Sequence, residues 1–261
     1  MMNTLVRAPE LLAPLHNLVA SGNRVDTGDN EWENGVTFTQ RGCHEIAGSC
    51  ATCNTEQTNP DPQDCTAPAS FDPYLLDLGV VFGTADRFDI KDLVTSDMEV
   101  GTSSRLERLI WAGCDGDTNP LLSSGTSLGA AASPRAALGA IVSELISAEN
   151  HIGARGTVHM SPRMAMELGE QLATDGDGNL VVKFGGHKVI LGNYPSTHIA
   201  GHIGDIDVYL GEIYLTEAPD EIRRANLQTF RVQRLALAAW NTCAAFVQEV
   251  TFGKNIDGGT P

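Results

Sequence analysis

From Ala85 to Trp111, apolar residues recur mostly at spacings of three and four: Phe88, Ile90, Leu93, Val94, Met98, Leu106, Leu109 and Ile110. That periodicity predicts an amphipathic helix. Thr84 is placed to cap its start and Gly113 to end it. Run without a break, the helix is about 40 Å long at about 1.5 Å per residue. Gly101, followed by Thr102, Ser103 and Ser104, offers a place to bend. A helix of this length needs a partner for its apolar stripe, so the rest of the chain must supply one.

The downstream sequence alternates between short helices and strands. Ser133-Pro134 and Ser161-Pro162 are both N-cap and first-residue pairs. The first opens a helix whose face is Leu138, Ile141, Val142, Leu145 and Ile146, closed by Gly153 and Gly156. The second opens a helix with Met164, Leu168 and Leu172 facing in. Thr157 to Met160 reads as a strand between them. Leu180 to Phe184 and His187 to Leu191 read as strands joined at Gly185-Gly186, a hairpin signature. Further strands are expected at Ile206 to Leu210, Ile213 to Thr216, Leu227 to Ala239 and Ala244 to Phe252, with 226–239 also readable as helix. There is no regular strand–helix–strand alternation, no internal repeat and no heptad pattern. The class is α+β.

Before the long helix the texture changes. Residues 1–30 read as an arm rather than a packed element. Residues 31–72 carry one short strand signal, Val36 to Thr39, and then an irregular loop rich in Cys, Thr, Asn, Pro and Asp. A loop this long inside a domain usually has a job. Residues 113–134 form a second loop. The first twenty residues do not read as a secretory signal, because Pro9, Glu10 and Pro14 interrupt them. The expected compartment is therefore a cytoplasm, where thiols stay reduced.

Charge narrows function. The chain has 17 Lys and Arg against 33 Asp and Glu, a net −16. Such a balance argues against a surface that grips phosphates, and against a polybasic membrane binder. No apolar run approaches the length of a membrane span.

The chemical motifs are mostly partial. Asp175, Asp177 and Asn179 imitate the start of a calcium loop, but the glutamate position is Gly186, so a plain turn is the better reading. His187, His198 and His202 lie close in sequence. Pro195, Gly201 and Gly204 argue against a helix there, and surface or loop histidines read better than metal ligands. The carboxylate pairs Asp115/Asp117 and Asp205/Asp207 have no nucleophile or base assembled around them by the sequence. Cys43, Cys50, Cys53 and Cys65 are the sharpest local feature, with Cys-x2-Cys at their centre and His44 beside the first. A zinc site, disulfides formed outside a reducing cell, and free thiols are the three open alternatives. Cys114 and Cys243 stand alone and read as small buried hydrophobes. No catalytic residue, cofactor site or committed metal site emerges.

Several stretches, in order, resemble the major capsid proteins of tailed bacteriophages, the Hong Kong 97-type fold shared with encapsulin shells. "MEVGTSSRLERLIWAG" followed by "CDGDTNP" looks like the end of that family's long spine helix and its loop. "TVHMSPRMAMELGEQLATDGDGNLVV" and "GGHKVILGNYP" look like the strand, Ser-Pro helix, turn and strand that follow. "NLQTFRVQRLALAAWNTCAAFVQEVTF" looks like the C-terminal strands. The likeness runs from Asp86 to Phe252.

The resemblance implies an organisation: an N-arm at 1–30, a Cys-rich extended loop and lead-in at 31–84, and a spine helix of a peripheral domain at 85–119. An axial domain at 120–212 and C-terminal strands at 213–261, returning to the peripheral domain, complete it. It implies a structural protein, not an enzyme: a virion subunit, assembled in the host cytoplasm, forming hexamers and pentamers of an icosahedral shell around double-stranded DNA. The expected partners are further copies of itself, a separate scaffolding protein and a portal, with no membrane. The cross-linked members of the family use a lysine in the extended loop. This chain has only Lys91, Lys183, Lys188 and Lys254, so that covalent mesh is not expected. Other readings are an encapsulin-like compartment shell, a minor phage structural protein, or a zinc-dependent or hydrolytic enzyme using the cysteines or His187, His198 and His202.

Overall fold

The computed structural model describes residues 16–25, 31–38, 69–71, 73–83, 90–113, 120–152, 155–217 and 227–251. In chain order the first elements are α1 (Leu18–Ser21), β1 (Asn23–Arg24), β2 (Val36–Phe38), β3 (Ala69–Phe71), β4 (Tyr74–Gly83) and α2 (Ile90–Ala112). Then come β5 (Thr126–Ala131), α3 (Pro134–Ile152), β6 (Gly156–Met160), α4 (Pro162–Glu167), β7 (Leu172–Thr174), β8 (Leu180–Val182) and β9 (Lys188–Leu191). Two long strands, β10 (His198–Glu217) and β11 (Leu227–Val250), end the series.

Among the described residues, nine strands form one sheet. Its main path is β4-β11-β10-β6-β9-β8-β7, with β1 pairing β10 and β5 pairing β11, both in parallel. The β10–β11 pair is the backbone of the molecule, and β11 alone extends about 80 Å at about 3.3 Å per residue. The separate strands expected within 206–216 and 227–252 are thus two continuous strands, and the helical alternative for 226–239 is replaced by strand. The pairing shifts register between Ile203 and Gly204, which face Ala244 and Thr242, so Cys243 is the extra residue of a β-bulge. The bulge resets side-chain parity: Ala238 and Trp240 before it and Ala245 after it pack into one cluster. A bulge leaves no signature in hydrophobic alternation except a phase change, which reads from sequence as a break between two strands.

α2 covers one sheet face. Val94 and Met98 pack on Phe230 and Val232, and Leu106 and Ile110 pack with Ile190, Ala200, Ile206 and Val208. The helix runs through Gly101 as one 23-residue element. Polar residues just beyond Gly101 are fastened inside it: Thr102 Oγ1 donates to the Met98 carbonyl at 2.7 Å. On the opposite face two separate layers sit at different places along the sheet. One is α3 with α4, whose Ile141, Leu145, Met164 and Leu168 pack on Val158, Met160, Val189, Ile199 and Ile203. The other is the antiparallel β2–β3 pair with Trp32, packed on Tyr209, Leu237 and Ala239.

Several local expectations change. Residues 16–25 are packed rather than a free arm, and Leu18 is fully buried. β4 lies where no strand was expected. Leu76 and Leu78 point to α2, and Leu75 and Asp77 point away, the half-buried alternation of a strand. β5 forms inside the expected loop 113–134. Both Ser-Pro caps form, with Ser133 Oγ accepting from the Ala136 N–H at 3.2 Å and Ser161 Oγ from the Met164 N–H at 3.2 Å. The helix after Ser161 is shorter than expected, because Leu172 already belongs to β7.

The hairpin also moves. β7 and β8 pair around the Asp175 turn, whereas β8 and β9 meet at one bridge, Val181 to Lys188. Gly185 and Gly186 do take positive φ, +89° and +68°, but they make a wider turn that delivers β9 to β6 in parallel. The expected boundary at 212/213 falls within β10, beside its irregularity between Leu210 and Ile213.

Candidate functional site

The most constructed polar site is where residues 16–25, α2 and strands β6, β9 and β10 meet. Alternation along β6 sends Val158 and Met160 toward α3 and His159 to the α2 face. Alternation along β10 sends His202 to the same face, and Ala200 with His159 and His202 with Thr157 are cross-strand pairs. His159 Nε2 lies 2.9 Å from His202 Nδ1, and His159 Nδ1 lies 2.9 Å from Tyr194 Oη. All three side chains are buried. The His159 and Tyr194 rings meet edge to face at 5.3 Å between centroids, and Trp111 continues the aromatic row to Tyr194 and His198.

Hydrogen bonding with the Gly204 backbone favours the charged form of His202. Tyr194 donating to His159 Nδ1, with His159 Nε2 donating to His202 Nδ1, is one arrangement that satisfies both contacts with neutral rings. Burial holds His159 well below the ordinary histidine value, and the neighbouring His202 adds to that. Burial also takes His202 down to about 4. Burial first, then the charge of Glu107, push the Tyr194 hydroxyl well above the ordinary tyrosine value. The row is a neutral hydrogen-bonded chain whose polar atoms are spent on each other.

Glu107 lies beside it, 2% exposed. Its Oε1 accepts from the Leu18 N–H at 3.1 Å and the Ser103 hydroxyl at 2.9 Å. Its Oε2 accepts from the Asn193 N–H at 2.7 Å. A buried carboxylate is tolerated where donors surround it, and these donors come from three distant parts of the chain. Gly192 leaves room for it: a Cβ there would stand 2.4 Å from the Glu107 carboxyl carbon.

The segment 16–25 is held at both ends. The Leu191 N–H donates to the His16 carbonyl at 2.9 Å, Lys188 Nζ donates to the Ser21 carbonyl, and Asn23 Nδ2 donates to Asp207 at 2.6 Å. Between this segment and the sheet is a cleft of about 380 Å³, reached by His202, Lys188 and Asp205.

The residues singled out from sequence are dispersed. His187 is buried and faces Glu149, with Nε2 3.1 Å from Oε1. His198 stands at the start of β10 against Trp111 and Thr197. His202 joins His159. His202 is a core residue rather than a surface or loop histidine, because alternation along β10 turns it inward, and His187 is buried although it lies in the loop between β8 and β9. Asp175 Oδ1 accepts from the N–H groups of Asp177 at 3.0 Å and Asn179 at 2.8 Å, a turn. The Asn179 backbone bond foremost lowers the Asp175 carboxyl from its ordinary value. Asp205 and Asp207 have the separate contacts given above. Cys43, Cys50, Cys53, Cys65, Cys114, Asp115 and Asp117, and the side chain of Cys243, lie outside the described residues. Among the described residues no three His, Cys, Asp or Glu side chains converge on a metal position, and no helix is long and apolar enough to cross a membrane.

Sequence reasoning missed Glu107, His159 and Tyr194. Glu107 carried a signal: it sits on the apolar stripe of α2, four residues after Ser103 and three before Ile110. His159 and Tyr194 carried none, since their partner is a strand forty residues or so away in the chain.

By sequence the chain matches no protein-family profile and no curated protein. By fold it is similar to phage capsid structures along nearly its whole length, which defines it as a chain with the tailed-phage capsid fold. The capsid of a native GTA particle aligns with TM-score 0.61 at 12% identity, covering 96% of this chain and 94% of that one. The protein of Gordonia phage Cozz aligns with TM-score 0.57 at 12% identity, over 96% and 91%. The capsid of Cyanophage P-SCSP1u aligns with TM-score 0.53 at 12% identity, over 97% and 92%.

Proposed function

We propose that this chain is the major capsid subunit of a tailed bacteriophage, a structural protein that builds an icosahedral shell around double-stranded DNA. One observation carries the reading: the likeness to capsid subunits spans 96% of this chain and 94% of the GTA capsid chain, so it takes in the whole architecture rather than a shared motif. The net −16 supports a wall that encloses DNA without gripping it.

In this reading 1–30 is the N-arm and 31–84 the extended loop and lead-in, so that Cys43, Cys50, Cys53 and Cys65 belong to a surface laid over a neighbour. Residues 85–119 hold the spine helix, 120–212 the axial domain, and 213–261 the C-terminal strands. Copies associate as hexamers and pentamers through many weak contacts summed over a closed shell. Curvature comes from hinging between domains. A separate scaffolding protein and a portal complete the particle, which forms in the host cytoplasm.

The test is negative-stain microscopy of the purified chain, alone and with its candidate scaffold. Closed shells tens of nanometres across are expected. A chain that stays monomeric under both conditions and binds stoichiometric zinc overturns the reading in favour of a metalloprotein.

A further inference from the structure

One stretch of this acidic chain is nearly free of charge. Charged residues make up 19% of the sequence, yet between Asp117 and Glu144 the only one is Arg135. The stretch is not buried. It forms β5, the turn after it and the first half of α3, and it presents Ser127, Ala130, Ala132, Ala136, Gly139 and Ser143 to solvent. An exposed helix face normally carries long polar side chains. Here the outward positions apart from Arg135 are small, while Ile141 and Leu145 face the core.

Beside α3 runs an apolar groove of about 420 Å³, floored by Leu138, Val142 and Val182. Its rim is Phe184, a large ring left 74% exposed. Small residues on one side and an exposed aromatic on the other describe a surface that another surface can approach closely. Charge decides which. A nucleic acid needs clustered cations, and the face offers Arg135 alone. Two copies of a chain at net −16 repel each other, so their contact must fall where charge is sparse.

We infer that the outer face of α3, with β5 and Phe184, is a contact surface for a second copy of this chain. The inference rests on the shell-subunit reading and assigns that reading a specific face.

Hydroxyl-radical footprinting of the full-length protein tests it directly. Phe184 labelling is expected to fall roughly fivefold or more on assembly, as an aromatic anchor at an interface becomes covered. Two charge insertions supply a second readout. Ser143→Glu and Gly139→Glu put a carboxylate on the face without touching the core, since a Cβ at Gly139 meets nothing within 4 Å. Each should raise the concentration needed for assembly by roughly tenfold or more, with an unchanged near-ultraviolet circular dichroism spectrum, while Ser143→Ala assembles like the wild type.

The outcomes separate. Shells in which Phe184 stays fully labelled, or folded Ser143→Glu and Gly139→Glu chains that assemble at wild-type concentrations, overturn the inference alone. Small oligomers with Phe184 protected uphold it and overturn the shell. A wild-type chain that never associates overturns both. Protection that appears only on adding double-stranded DNA assigns the face to nucleic acid and overturns it.

Discussion

The two faces of the sheet are filled by different chemistry. On the α3 face the packing is aliphatic: Ile141, Leu145, Met160, Met164, Ile199 and Ile203 are fully or almost fully buried and need no partners beyond one another. On the α2 face the aliphatic cluster around Leu106 and Ile110 is interleaved with Glu107, His159, His202 and Tyr194. The aliphatic face gains stability from area alone and tolerates rearrangement. The polar face works only if every donor and acceptor stays matched. It also holds down a remote segment, residues 16–25, which the aliphatic face does not. Directional bonds are suited to fixing where a strap lies, because they discriminate by geometry where apolar contact does not.

The sharpest way to break this contrast is to cut each face once. Leu145→Ala should cost about 4 kcal/mol, the transfer term plus the cavity left between α3 and Gly156 and Gly201. Urea unfolding would read that loss, and it should be the same at neutral and mildly acid pH. Glu107→Ala should cost about 3 kcal/mol, because it strands the buried N–H of Leu18 and the part-buried N–H of Asn193. Glu107→Gln, which keeps acceptors, should lose less than half as much. Limited proteolysis in the 16–25 segment should accelerate for Glu107→Ala and stay unchanged for Leu145→Ala. Equal acceleration in both would mean the strap is held by the core at large.

Acid should weaken the polar face. His202 sits at about 4 in the fold against an ordinary 6.5. Its folded value is the lower one, so the unfolded chain takes the proton first. The fold keeps full stability above 6.5 and loses it as pH falls from there through 4. For His202 the loss is about 3 kcal/mol by linkage, and His159 shifts in the same direction. Melting temperatures recorded between about pH 7 and about pH 4.5 should fall more steeply for the wild type than for the His159→Gln, His202→Gln double variant. Parallel slopes would mean that the pair does not control the acid response.

Smaller effects sharpen the same comparison. Gly192→Ala should cost about 2 kcal/mol by forcing Glu107 off its donors, visible as a lowered urea midpoint. Ser161→Ala, which removes the α4 cap on the aliphatic side, should cost about 1 kcal/mol and leave the acid response untouched.

Much of this contrast was legible in advance on one side only. The α3 face could be read directly, since Leu138, Ile141, Val142 and Leu145 carry a helical period and Ser133-Pro134 and Ser161-Pro162 carry the caps. The polar face could not. His202 looked like a loop or surface residue because Gly201 and Gly204 flank it, and His159 stood in an expected strand, where alternation does not say which face meets a neighbour. The Cys43–Cys65 cluster, the loudest chemical signal in the chain, lies outside the described residues and stands as it did in the sequence. β5 and β4 were missed for opposite reasons. β5 is too short of large apolar residues to show alternation, and β4 follows the irregular loop that masks its pattern.

What the sequence determined by itself is local. It set the helix at 90–112, the two Ser-Pro starts, the Asp175 turn and the charge balance, because capping, periodicity and titration depend on neighbours in the chain. Only the tertiary structure decided that four expected strands are two, with a bulge at Cys243 to correct their parity. Only it brought Glu107 to Leu18 and Asn193, and His159 to His202. Those outcomes depend on which strand pairs with which, and pairing joins residues far apart in the chain through backbone hydrogen bonds that carry no side-chain label.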